Sequence, residues 1–163
     1  MSGNQPTAMT FYQGWDVYQG HLTRAIAPLT QEQLTLRAAP HLRTLDQIAS
    51  HIIGARARWF HDLMGEGGEE IVRVRTFDRP GTPSHTAAEL LQGLETTWQL
   101  MADCLNRWTL ADLEYSYPGD PADGEPERLT RQWVLWHLIE HDVHHGGELS
   151  LTLGMHGLAA PDL

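Results

Sequence analysis

The 163-residue sequence has a single cysteine, Cys104. No intrachain disulfide can form, and zinc ribbons built on paired cysteines are disfavoured. Long hydrophobic runs are missing as well: nothing approaches the ~20 apolar residues of a membrane span, and the opening MSGNQPTAMT has neither the basic nor the apolar region of a secretory leader. These absences lead us to expect a cytoplasmic protein. Positive charge is scarce, with 11 basic against 21 acidic side chains and a formal net charge of −10. A phosphate backbone or an anionic membrane would be repelled over most of such a surface, so neither nucleic acid nor membrane is an expected partner. The one local basic run, Arg73, Arg75 and Arg79, reads as a solvated loop. There is no G-x-S-x-G and no glycine loop that would cradle phosphates after a strand, which disfavours nucleophile-elbow hydrolases and nucleotide-binding enzymes.

What is present suffices for one domain over residues 1–163, since a chain of this size buries roughly 70% of its unfolded surface. Four stretches have helical periodicity. Phe11, Trp15, Tyr18, Leu22 and Ile26 recur from Thr10 to Ala27, where Pro28 stops the pattern. After Pro40, Thr44 and Gln47 form a capping-box signature ahead of an apolar stripe that runs through Ile48, Ile52, Trp59 and Leu63 to Gly65. GEGG, IVRVRTF and RPGTP then suggest a long crossover over 65–83 with a short extended piece. A third helix starts near Ser84 or Thr86, the latter with Glu89 three residues on, and runs to about Trp108. A polar stretch containing Pro118, Gly119, Pro121, Gly124 and Pro126 cannot be helical. Thr130 caps the last helix, with three or four turns expected before His145 and a costly Gly146-Gly147 pair beyond, a pattern that implies a close approach by another group. The expected fold is all-α: a four-helix bundle with a long crossover between helices two and three.

The last helix has four histidines in nine positions, in HLIEHDVHHGGEL. At about 100° per residue, His137, His141, His144, His145 and Glu148 all fall in one arc, beside Trp133 and Leu151. Histidines four apart place two imidazole nitrogens within reach of one divalent ion, a geometry open to more than one pair here. A third ligand should come from another helix. His51 is the best candidate, because it stands among Ile48, Ile52 and Ala55, where an unpartnered imidazole would cost stability. His21, His41, His61, His85 and His156 lie near expected surfaces or loops and read as solvated. Cys104, followed by Leu105 on an apolar face, reads as a buried, inert thiol.

ASHIIGARARWF and WHLIEHDVHHGGELSLTLGMHGL resemble the two signature regions of the DinB/YfiT-like bundle proteins, a superfamily of metalloenzyme-like bundles unrelated to the DNA polymerase that shares the name. The resemblance implies a four-helix bundle holding a divalent metal through His51 on the second helix and His141 and His145 on the fourth. Members commonly have H-H-R-G-Q where this chain has His144-His145-Gly146-Gly147-Glu148, so an arginine and a glutamine are replaced. Similar proteins include S-transferases and isomerases that use low-molecular-weight thiols, and they are often homodimers. Three neutral imidazoles leave a metal its full charge and an open position, as in catalytic sites. Zinc is the expected ion, with nickel, iron and manganese compatible with imidazole ligands. The expected function is metal-dependent activation of such a thiol, or of water, for attack on a small-molecule electrophile. Glu148, one turn beyond His145, is the candidate catalytic side chain, most simply by orienting a ligand imidazole. The alternative is non-catalytic metal or small-molecule binding by a stress-related dimeric bundle.

Overall fold

Five helices are present among residues 6–120, 122 and 126–161, the residues described by the computed structural model. α1 spans Gly14–Ile26, α2 Leu45–Ala57, α3 Glu69–Val74, α4 Ala87–Arg107 and α5 Arg131–Met155. The four long helices form an all-α bundle in which α2 packs on α5 and α4 while α1 packs on α4. The short α3 belongs to the long crossover between α2 and α4. No helix among the described residues is long and apolar enough to cross a membrane.

Local chemistry sets the helix starts. Thr44 accepts a hydrogen bond from the Gln47 backbone N–H at 3.2 Å, and the Gln47 side chain accepts one from the Thr44 N–H at 3.0 Å, so two otherwise orphaned donors are satisfied. Thr86 and Glu89 form the same box at the head of α4, and the Thr130 hydroxyl caps α5 through the Trp133 N–H.

Several expectations change. Residues 8–11 form a 3-10 turn and α1 begins only at Gly14, because the Ala8 N–H bonds the Trp108 carbonyl at 2.7 Å and draws the segment toward the end of α4. The second helix is regular to Ala57 and then widens into a π turn over Arg58–Leu63. IVRVRTF contains no extended piece. Its valine-arginine alternation was compatible with a strand, but Ile71 and Val74, three apart, are buried on α3, while Glu69 and Glu70 occupy the first turn, where helix N–H dipoles favour acid. The basic run is not wholly solvated either, since Arg75 pairs with Asp62 at 2.8 Å.

In the second connection, a 3-10 turn at Ala111–Glu114 precedes an antiparallel hairpin of β1, Ser116–Pro118, and β2, Arg128–Thr130, with Ser116 opposite Thr130. Three-residue strands are too short to show alternation. Pro121 and Gly124, assigned above to this polar stretch, lie outside the described residues.

α5 runs unbroken for 25 residues through both glycines. A Cβ on Gly146 would stand 2.0 Å from the Tyr18 hydroxyl of α1, whereas a Cβ on Gly147 would meet nothing within 4 Å. The two glycines therefore predict opposite outcomes. Gly146→Ala should destabilise the fold by about 1–3 kcal/mol through overpacking. Gly147→Ala should stabilise it by up to about 1 kcal/mol through helix propensity. Urea unfolding of the two variants checks this, and equal shifts of the same sign would contradict it.

The core is divided in two. One apolar cluster includes Leu22, Ile26, Ile52, Leu94, Leu149 and Leu153, and the other Trp15, Phe60, Met101, Leu105 and Leu138. Between them in each long helix stands a buried polar residue: Gln19, Arg56, Thr97 and Asp142. Arg56 and Asp142 are both 0% exposed and joined at 2.6 Å. Asp142 also accepts from Trp15 Nε1 at 2.7 Å, and Arg56 Nη1 donates to Gln19 Oε1 at 2.7 Å. Gln19 in turn donates to the Leu94 carbonyl at 3.1 Å. This polar layer ties all four helices together at the height from which the histidines of α5 project. Cys104 is fully buried, and burial together with nearby Glu66 pushes its thiol up to about 12. At neutral pH it is no nucleophile.

Candidate metal centre

The crossover and α5 close over the middle of α2 from two sides. From α2, His51 directs Nε2 toward His141 Nε2 at 3.2 Å. His145, one turn farther along α5, sets its ring 4.7 Å from that of His51 and 4.4 Å from that of His141. One nitrogen from each of the three rings lies within 4.8 Å of the others.

Carboxylates behind the rings set their tautomers. His51 Nδ1 lies 2.8 Å from Asp78 Oδ2, and Arg58 holds the same carboxylate through Oδ1 and Oδ2. Burial alone would raise Asp78, but the hydrogen bonds from His51 and Arg58 outweigh it and hold the carboxyl well below its usual range. An ionised carboxylate only accepts, so His51 Nδ1 donates to Asp78 and Nε2 is the ring nitrogen turned toward the other imidazoles. Glu148 repeats this arrangement on His145, with Nδ1 to Oε2 at 2.7 Å. Burial pushes Glu148 up, and the His145 hydrogen bond with the nearby His145, His144 and Arg43 charges brings it below its ordinary value. Burial and the neighbouring His145 and His51 press His141 down to about 3, so this ring is neutral at physiological pH. His145 is likewise lowered, first by burial.

Such a donor set suits a divalent cation. Two imidazole nitrogens that share one zinc-sized ion stand roughly 3.3 Å apart, close to the 3.2 Å between His51 and His141. Two of the three rings already have the carboxylate partner that orients ligating imidazoles. The third, His141, has a buried Nδ1 with no hydrogen-bond partner among the described residues.

Other histidines do different things. His137 stacks on Trp133 at 5.1 Å and meets Trp59 edge-on, so it stands outside the triad in an aromatic wall. His144 is exposed and approaches Glu148 at 3.7 Å. His85 corrects the solvated reading: it stacks on Phe77 at 4.0 Å and bonds Ser50 Oγ at 3.1 Å, because the crossover folds back over α2.

One partner of the site escaped sequence reasoning. Asp78 comes from the crossover, and Gly54 makes room for it, since a Cβ there would stand 2.5 Å from Asp78 Oδ1. Nothing local in RTFDRP marks that aspartate. The Arg56–Asp142 pair did leave a trace: Arg56 continues the Ile48, Ile52, Phe60 stripe, and Asp142 shares the face of Leu138, His145 and Leu149, so each is a charge on a core stripe.

The sequence model of the DinB family matches residues 1–163. A DinB-like protein from Bacillus cereus has a similar solved structure, 25% identical, with a TM-score of 0.75 over 98% of this chain and 99% of that one. A conserved protein from Enterococcus faecalis, 16% identical, shares the fold with a TM-score of 0.64 over 87% of this chain and 94% of that one. No curated protein gives a significant match. With the whole length matched, the chain belongs to the DinB family.

Proposed function

We propose that this protein is a divalent-metal-dependent enzyme that activates a low-molecular-weight thiol for attack on a small electrophile, with zinc as the first candidate ion. The observation that carries the reading is the convergence of three imidazole nitrogens from two helices, with carboxylates behind two of the rings. When bound, the cation supplies Lewis acidity that lowers the pKa of a thiol or water at the site. His51, His141 and His145 would hold it as neutral ligands. Asp78 fixes the His51 ring and Glu148 the His145 ring, each by accepting from Nδ1. Half-buried Glu148 also lines an apolar cavity of about 340 Å3 with Leu42, Ile48 and Leu151, which places that cavity beside the side chain that fixes His145.

Incubating the metal-loaded protein with a panel of thiols and electrophiles tests the reading. Conversion by the wild type and background rates for His141→Ala are expected. Equal, background-level conversion by both would remove the transferase assignment.

A further inference from the structure

A second cavity, about 320 Å3, reaches His51 between the crossover and the start of α2. Arg43, Asp46, Ser50, His51, Asp78 and Arg79 contribute to its wall. The chain's basic residues are eleven arginines, with no lysine. Arg56, Arg58, Arg75 and Arg107 are spent on carboxylates within the fold. Arg24, Arg37, Arg128 and Arg131 hydrogen-bond uncharged groups. Among the described residues Arg43, Arg73 and Arg79 have neither an ion pair nor a side-chain hydrogen bond, and two of these three line this one cavity.

The acids in the same wall form no ion pair with them. Asp78 is held by Arg58 and His51. Asp46 accepts from Ser50 Oγ and the His85 N–H, each at 3.2 Å. Arg43 also lines the neighbouring cavity to which Glu148 contributes. In a chain of net charge −10, two guanidinium groups without an ion pair line one concave site together with His51. Guanidinium forks match planar oxyanions with paired hydrogen bonds, which an ammonium cannot do.

We propose that Arg43 and Arg79 form an anion-binding subsite that seats a carboxylate or other oxyanion of the substrate beside the histidine cluster. This rests on the site assigned above and narrows its substrate to small anionic molecules.

Binding tests it without turnover. Succinate, its uncharged diamide succinamide, and inorganic phosphate are titrated into the metal-loaded protein and into the Arg43→Ala, Arg79→Ala and Arg43→Lys variants, with affinities read by calorimetry. Both arginines are exposed, so the variants should keep the circular dichroism spectrum of the wild type. Succinate is expected to bind at least about tenfold more tightly than succinamide, and each alanine variant to lose about tenfold or more, the scale of a hydrogen bond to a charged group. Arg43→Lys should recover only part of that loss. Tighter binding of phosphate than of succinate, with the same dependence on the arginines, would support the subsite and assign its oxyanion as phosphate. Equal affinity for succinate and succinamide, or alanine variants that bind as the wild type does, would overturn it. If succinate binding depends on the arginines but no thiol is transferred, the subsite stands and the thiol chemistry falls. If neutral thiols are transferred at a rate indifferent to Arg43→Ala, the subsite falls and the thiol chemistry stands.

Discussion

Asp142→Ala is expected to destabilise the protein by about 3–5 kcal/mol, a large part of what holds a domain of this size together. Coulomb attraction is not the main reason. The substitution leaves the Arg56 guanidinium, which is 0% exposed, without its counter-charge and strips Trp15 Nε1 of its acceptor. An unpaired buried charge costs far more than the intact pair contributes. The double variant Arg56→Met, Asp142→Leu removes the unpaired charge and should recover part of the loss, the remainder reflecting Trp15 Nε1 and Gln19 Oε1 left without partners. Chemical denaturation of the three proteins decides the matter. A single variant within about 1 kcal/mol of wild type would show that the polar layer is not what joins the helices.

The second large effect concerns metal. His51→Ala and His141→Ala should each lower metal affinity by more than the roughly 10–100-fold typical of losing an outer-shell partner. Asp78→Asn, which keeps the shape but weakens the acceptor for His51 Nδ1, should fall within that smaller range. His137→Ala should leave affinity unchanged, because that ring is stacked on Trp133. Competition with a chromogenic chelator gives all four values. Should His137→Ala weaken binding as much as His141→Ala does, the ligand set drawn here is wrong.

Long-period features were readable in the sequence and short or distant ones were not. The bundle, the long crossover and both capping boxes follow from apolar stripes and punctuation that persist over several turns. α3 has six residues and each strand of the hairpin three, too few for a periodicity to repeat. At the candidate site the α5 histidines stood out because spacing and helical angle are local properties of one element. His51 showed itself as a polar residue in an apolar stretch. Asp78 could not, since its role exists only once the crossover folds back across Gly54. Arg56 and Asp142 stand as charges on core stripes, a signal the sequence reading passed over, and their pairing across 86 positions is a tertiary fact.

The most direct test of the central claim is anomalous diffraction, collected at several metal absorption edges from crystals of protein purified without added metal. One ion per chain, bounded by nitrogens of His51, His141 and His145, is the predicted result. An ion held by other residues, or a protein that binds none when divalent metals are supplied, would contradict it.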